Sequence, residues 1–487
     1  MIERDIWISV DGRVPPALLT RQGAALGLRG FVHHPSTRIA ALQLRLIQGG
    51  HSVEARQVIL EDGLLGPTEA GIDDAFDGGF YVSAVFPPCE ALRDGQAWID
   101  ATVTWDRGTA SCLRLASVDL IRVDPITESD SAAAAGPARI GIAMATFNPD
   151  LALFARQIGS IRAQTHPDWI CVISDDGSQP EILRAIAASI EDEPRFRLLP
   201  SGRNLGFYRN FERACAALPP SCAFVALSDQ DDVWLPERLA RQIATAEAVP
   251  YCCCYSDMAI VQPQGAVVSP TYWVHREARW GSLGGLLLAN VVTGMTVLAR
   301  RELIDEALPF PATPGLTYHD HWIALVAGRR GSLRYVAEPL VRYVQHGGNH
   351  TGALVRWPDS QDVLRQTLRR IGHFAKIGVI GGRLRRAAAE PSTLDWLDIE
   401  PARLRILVER LTILPGGKPA RDRALRRLSR RFGPVRLLTC GANWRDRYRR
   451  GVAIELGLGG LLKRALVRLL NMGHVRAEAP AVERRPA

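Results

Sequence analysis

Four short polar segments of this 487-residue chain each follow an apolar run and carry side chains suited to a cation, a phosphate or a base. They hold Thr146 with Asn148, Asp175 with Asp176, Arg203 with Asn204, and Asp229 with Asp231 and Asp232. The last is the densest: Ser228-Asp229-Gln230-Asp231-Asp232-Val233-Trp234 closes the run Ala223-Phe224-Val225-Ala226-Leu227. Carboxylates that close repel one another unless a cation lies between them, and Asp oxygens suit hard divalent ions such as Mg2+ or Mn2+. A metal on Asp231 can bridge a diphosphate, an Asp carboxylate can accept the imide N–H of a uracil or thymine ring, and a hydroxyl can bond a base edge. Singly, each residue also fits a plain turn or cap. Asp232, shortly before Pro236-Glu237-Arg238-Leu239, is placed like a helix N-cap. Three carboxylates exceed what one cap requires.

The elements that must position these residues follow from periodicity. Arg139 to Ala145, Trp169 to Ile173, Phe196 to Leu199 and Ala223 to Leu227 are apolar runs of strand length. Between them, Leu151 to Gln164 repeats Leu151, Phe154, Ile158 and Ile161 at helical spacing, and Glu181 to Ile190 and Tyr208 to Ala217 also read as helices. Such a βαβ series predicts a parallel sheet, and in open α/β sheets ligands bind outside the carboxyl ends of the strands. The four segments therefore face one crevice. Gly281 to Ala299 carries no charge, but its glycines, Asn290, Thr293 and Thr296 predict a short helix and a buried strand rather than a membrane span. Within it, Thr293-Gly294-Met295 fits either a sugar-facing or a packing role. Asp320 precedes the apolar helical stretch Trp322 to Ala327, where a cap or a catalytic base fits equally.

The flanks differ from this centre. Residues 1–126 hold short runs such as Ile39 to Gln48 and Gln96 to Trp105 between turns, which predicts an antiparallel β-sandwich; such sandwiches host sugar binding or serve as spacers, and without an aromatic platform a spacer or docking module is expected. Residues 127–138 read as a linker, 139–352 as the α/β domain, and 353–487 as a basic helical region. The net charge of +8 is uneven: 353–487 hold 29 Lys and Arg against 12 Asp and Glu, leaving the first 352 residues with 30 against 39. Leu461, Leu462, Ala465, Leu466, Leu469 and Leu470 share one helical face, with Lys463, Arg464 and Arg468 on another. A basic amphipathic region fits an anionic membrane surface, and equally fits helices packed on the catalytic domain with a solvated face. Nucleic acid is not expected, since no recognition motif or aromatic stacking series accompanies the arginines. The nine cysteines show no paired spacing, and the N-terminus lacks the order of a signal peptide, so reduced thiols and a cytoplasmic location are expected.

Taken in order, Thr146-Phe147-Asn148, Asp175-Asp176-Gly177-Ser178, Asn204-Leu205-Gly206 with Asn210, and Ser228 to Trp234 resemble family-2 glycosyltransferases with the GT-A fold. Tyr318-His319-Asp320-His321-Trp322 and Val341 to Asn349 look like that family's rhamnosyltransferase-type branch. The resemblance covers about Arg139 to Gly352. It implies inverting transfer from a nucleotide-diphosphate sugar, rhamnose being one candidate sugar, to a glycan or lipid-linked acceptor in surface polysaccharide synthesis. It further implies that Thr146, Asp175 and Asp176 hold the base, with Asn148, Arg203, Asn204 and Asp229 completing the donor site. Asp231 and His346 become metal ligands, and Asp320 the base. The chain departs from the family pattern in His319 and His321 around Asp320, and in Val344 where an Arg is common.

Two other classes compete with an enzyme of this kind. A non-catalytic glycan or partner-binding protein with a retained fold would have no use for Asp231 and Asp320. A nucleotidyltransferase would need a glycine-rich basic triphosphate loop, which the sequence lacks.

Overall fold

The computed structural model describes residues 7–11, 14–33, 39–61, 79–105, 108–126, 140–273, 282–313, 317–347, 365, 369, 400–416 and 425. Strands β1 (Trp7–Asp11), β2 (Ala17–Thr20), β3 (Ala24–His33), β4 (Ile39–Gln48), β5 (His51–Glu54), β6 (Arg56–Glu61), β7 (Gly79–Phe86), β8 (Gly95–Trp105) and β9 (Ala110–Arg122) come first. They form two sheets, β1-β3-β7-β6 and β2-β9-β8-β4-β5. Alternation explains the packing. Leu42, Leu44 and Leu46 of β4 meet Ala97, Ile99 and Ala101 of β8, and Leu26, Val82 and Phe86 of the other sheet close the same core. Pairs among these nine strands are antiparallel except β2 with β9. Of these strands, β2, β3, β5 and β6 were not anticipated. In β3 the run Ala24-Ala25-Leu26-Gly27-Leu28 dilutes the apolar alternation with small residues.

A third sheet contains β10 (Ile140–Thr146), β11 (Trp169–Asp175), β12 (Phe196–Pro200), β13 (Phe224–Ser228), β14 (Val233–Trp234), β15 (Cys253–Val261), β16 (Val267–Ser269), β17 (Val297–Arg300) and β18 (Leu333–Val344). Its order is β12-β11-β10-β13-β17-β15-β18-β14, with β16 on β15. The first four strands are mutually parallel. Beyond β13 the antiparallel β17 intervenes, and β15 then pairs parallel with β18.

Helices α1 (Leu151–Arg162), α2 (Pro180–Ile190), α3 (Phe207–Ala217), α4 (Arg238–Ala246), α5 (Leu283–Leu288), α6 (Arg301–Ala307), α7 (His319–Arg330) and α8 (Glu400–Ile413) complete the domain. Asp150 starts α1 by accepting from Ala152 N and Leu153 N, and Pro180 opens α2. Strand alternation divides the core in two. Ile140, Ile142 and Met144 join Phe154, Ile158 and Ile186, whereas Ala143 on the other face joins Phe211, Trp322 and Leu407. Cys252 and Cys254 share the first core and Cys253 the second, all three as free thiols.

Helix α7 is buried from His319 to Arg329, and Gly331 ends it at φ 77°. From the tail, α8 docks on it through Leu404, Leu407 and Val408, and Arg410 Nη2 donates to Pro309 O at 3.2 Å. The Leu461 to Leu470 face and its neighbouring arginines, like the linker 127–138, lie outside the described residues. No described helix is long and apolar enough to cross a membrane. The sandwich packs against the α/β domain: Ser83 Oγ donates to Ala312 O at 2.7 Å, Ile126 N to Ala217 O at 2.9 Å, and Arg203 pairs with Asp119 at 2.9 Å.

Candidate active site

The polar segments do meet at the carboxyl ends of the parallel strands. There a cavity of about 530 Å³ is lined by Thr146, Asp176, Asn204, Asp229, Asp231 and Asp320, among others. Two groups of acids lie at or beneath it, and their surroundings differ.

The first group is satisfied by backbone. Asp175, fully buried, accepts from Gly177 N at 3.1 Å, Ser178 N at 2.9 Å and Ser178 Oγ, and Thr146 Oγ1 donates to it at 3.3 Å. Asp176 accepts from Leu205 N at 2.6 Å and Gly206 N at 2.9 Å, which fixes the 203–206 turn. Burial raises the Asp176 carboxyl, and those two N–H groups pull against that shift. Gly177 sits at φ 81°, and a Cβ there would stand 3.1 Å from the Arg203 backbone. Asn148 Oδ1 accepts from Gln179 N at 2.9 Å, and Asn204 Oδ1 from Gly206 N at 3.0 Å. Beneath them Asn210 Nδ2 donates to Ser174 O at 2.8 Å, and Arg213 Nη2 to Pro200 O at 2.6 Å.

The second group repels itself. The Asp229 carboxyl is pushed up to about 7, first by burial and then by Asp231 and Asp320. Asp232 is raised well above the carboxylate range, by burial and then by its neighbours Asp231 and Asp229. Asp232 does not cap α4, whose N-cap is Glu237. Instead its Oδ1 accepts from Val344 N at 3.1 Å, tying the end of β18 to the acidic loop. That tie brings His346 Nε2 to 2.9 Å from Asp231 Oδ2.

Asp320 lies in the first turn of α7, and the cap position is Tyr318. Asp320 Oδ2 accepts from Gly294 N at 2.9 Å, and Oδ1 from Asn290 Nδ2 at 3.1 Å and from His321 N at 2.5 Å. Burial nevertheless pushes its carboxyl up to about 7. Gly294 is required there, since a Cβ would stand 2.7 Å from His319 Nε2. His319 stacks on Phe211 with ring centroids 3.7 Å apart, and His321 Nε2 lies 2.8 Å from Leu286 O. Burial lowers both imidazoles to about 3, so both are neutral. Thr293 and Gly294 line the cavity, whereas Met295 is buried in the core.

Among the residues expected around a donor, Asn148, Asp175, Arg203 and His346 are not part of the cavity lining. Asn148 and Asp175 brace its floor, His346 meets Asp231, and Arg203 turns away to the sandwich. The cavity adds Phe207, Gln230, Tyr318 and Tyr343, for which no spacing signal existed. Gln230 Oε1 accepts from Phe147 N at 2.8 Å and so joins the acidic loop to the end of β10.

Among the described residues, no three His, Cys, Asp or Glu side chains converge as a metal cage. Two acids at a cavity mouth still fit Mg2+ or Mn2+, because such an ion is usually held by one or two carboxylates together with substrate phosphates. The mutual repulsion of Asp229 and Asp231 is what a cation would relieve.

The profile of glycosyl transferase family 2 matches residues 142–298. An uncharacterized protein, y4gI, of Sinorhizobium fredii is 29% identical over 112 residues, 23% of this chain and 12% of that protein. An uncharacterized glycosyltransferase of Nostoc, alr2836, is 23% identical over 207 residues, 40% of this chain and 62% of that protein. The chain thus spans less than two thirds of either curated relative. The crystal structure of TarS 1–349 from S. aureus superposes with a TM-score of 0.37 at 15% identity, over 69% of this chain and 92% of that one, a likeness too slight to argue from. The segment that is similar to glycosyl transferase family 2 runs from β10 to β17 and holds the four polar strand ends that line the cavity.

Proposed function

We propose that the protein is an inverting glycosyltransferase that moves a sugar from a nucleotide-diphosphate donor to a hydroxyl of a glycan or lipid-linked acceptor. The observation that carries this reading is the convergence of Thr146, Asp176, Asp229, Asp231 and Asp320 on one cavity beside a segment similar to family 2. Thr146 and Asp176 face the nucleotide base, with Asn148 and Asp175 holding their loop. Asp231, with Asp229 and His346 beside it, holds Mg2+ or Mn2+, which when bound offsets charge on the departing diphosphate. Asp320 takes the proton of the acceptor hydroxyl as that oxygen attacks the anomeric carbon and the bond to the diphosphate breaks. A carboxyl near 7 suits that task, since it is a stronger base than an ordinary Asp and is still substantially ionised at neutral pH.

Rhamnose is the first sugar to try, on the strength of Tyr318 to Trp322. The basic segment 353–487 supports a peripheral position on anionic lipid at the cytoplasmic face, where a lipid-linked acceptor would be reached. Two measurements test the reading. Purified protein is offered a panel of nucleotide sugars with and without Mg2+ or Mn2+, and nucleotide release is read. Release from at least one donor, abolished by chelator, is expected. No binding or hydrolysis of any nucleotide sugar overturns the enzyme. Flotation with anionic vesicles at low salt tests the membrane position, which falls if the full-length protein stays in the soluble fraction.

A further inference from the structure

A second cavity, of about 310 Å³, opens between the sandwich and the α/β domain. Its sandwich wall includes Pro16, Ala17 and Tyr81, and its catalytic wall includes Phe207, Arg209 and Ala312. We propose that this cleft is the acceptor subsite and holds a pyranose ring of the acceptor glycan. The assignment of it to an acceptor rests on the glycosyltransferase reading above.

Three observations support it. The cleft adjoins the donor cavity, because Asn204 and Phe207 line both. The Phe207 ring lies 5.7 Å from that of Tyr318, which lines the donor cavity two residues before Asp320. A sugar in the cleft therefore lies against the same ring pair that borders the cavity holding Asp320.

The lining also has the composition that a sugar needs. Phe207 and Tyr208 offer ring surface to the C–H side of a pyranose, while the Tyr81 hydroxyl, the Asn204 amide and the Arg209–Glu212 pair offer donors and acceptors to its hydroxyls. Burial raises the Glu212 carboxyl, and its partners are Arg209 and Phe310 N, at 3.2 Å. A buried ion pair on the wall of a cleft gains from a hydroxyl-rich ligand what a dry apolar wall cannot give it. Gly27 leaves room for the Tyr81 hydroxyl, which a Cβ at that position would overlap.

Finally, the cleft is built by fixed contacts. Ser83 Oγ to Ala312 O closes one side, and Arg203 to Asp119 closes the other. Pockets with aromatic walls and few polar groups occur preferentially at domain interfaces, and sizes run from about 300 Å³ upward, so this one suits a single ring or a short glycan end.

The test uses saturation-transfer NMR on the full-length protein with the methyl pyranosides of glucose, galactose, mannose, rhamnose and N-acetylglucosamine. At least one should bind in the millimolar range. Ala17→Phe and Ala312→Phe fill the cleft from opposite walls, and each should weaken that binding at least about tenfold, while Asp231→Asn leaves it unchanged. Donor hydrolysis without acceptor is the control for folding, since neither alanine touches the donor cavity. Should a filled variant fail that control, Tyr81→Phe removes one hydroxyl without adding bulk and should weaken the same pyranoside about fivefold, the worth of one hydrogen bond. The proposal is overturned if no pyranoside binds the wild type, or if binding survives these changes. Pyranoside binding in the cleft of a protein that neither binds nor hydrolyses any nucleotide sugar would instead sink the transferase reading and leave the sugar site standing.

Discussion

Asp175 and Asp176 end β11, and Asp229, Asp231 and Asp232 follow β13, two strands that flank β10 in the same sheet. Their hydrogen-bond partners differ. The Asp175 and Asp176 carboxylates together accept four backbone N–H bonds, from Gly177, Ser178, Leu205 and Gly206, and so act as glue for two loops. The acids after β13 and Asp320 face one another in a desolvated space, and burial lifts Asp229 and Asp320 to about 7. The same residue type therefore serves stability at one strand end and chemistry at the next. Burial raises both Asp229 and Asp320; neighbouring carboxylates add to it at Asp229, whereas at Asp320 burial outweighs the donors of Gly294, His321 and Asn290.

The largest expected effect is at Asp231. Asp231→Asn should reduce transfer by at least about 10³-fold, the equivalent of several kcal/mol of lost charge stabilisation, with the thermal midpoint unchanged or raised. Steady-state assays beside thermal melts check this. A folded variant with full activity in chelator would erase the contrast between the two strand ends.

Asp320→Asn should slow transfer about 10²–10⁴-fold and leave donor affinity near normal, since the amide keeps the size but cannot take the proton. In the wild type, log kcat/KM should rise with pH and level off above about 7, as the carboxyl ionises. The variant should lose that limb. Stability moves the other way. The folded carboxyl titrates near 7 and the unfolded one near 4, so its contribution is present at pH 4 and is lost as pH rises through 7. Thermal midpoints of the wild type should fall over that window, and Asp320→Asn should flatten the fall.

At the other strand end Asp175→Ala should cost about 1–3 kcal/mol of stability, because the buried N–H groups of Gly177 and Ser178 lose their acceptor. Denaturant melts should show it, with activity lost only in proportion to the unfolded fraction. The smallest effect is expected at Arg203. Its pair with Asp119 is about two-fifths exposed on both sides, so Arg203→Ala should cost below about 1 kcal/mol. Donor affinity should not change. A large loss of donor binding would return Arg203 to the donor site that its place in the sequence suggested.

The sequence by itself determined the local part of this protein. Strand and helix periods and the polar residues that close each strand are all set within a dozen neighbouring residues, so β10 to β13, α1 to α3 and the mouth of the crevice were legible. Weakly patterned strands such as β3, where small residues and Gly27 dilute the alternation, were not. The tertiary structure decided the roles. His346 reaches Asp231 across 115 residues of chain because β18 runs beside β14, and Gly294 and Asn290 grip Asp320 only once α7 is buried. Arg203 could face either the crevice or the sandwich until the two domains docked and Asp119 took it. A side chain's type fixes which bonds it can make, whereas burial and the partners brought from far along the chain fix which it does make, and through them its charge.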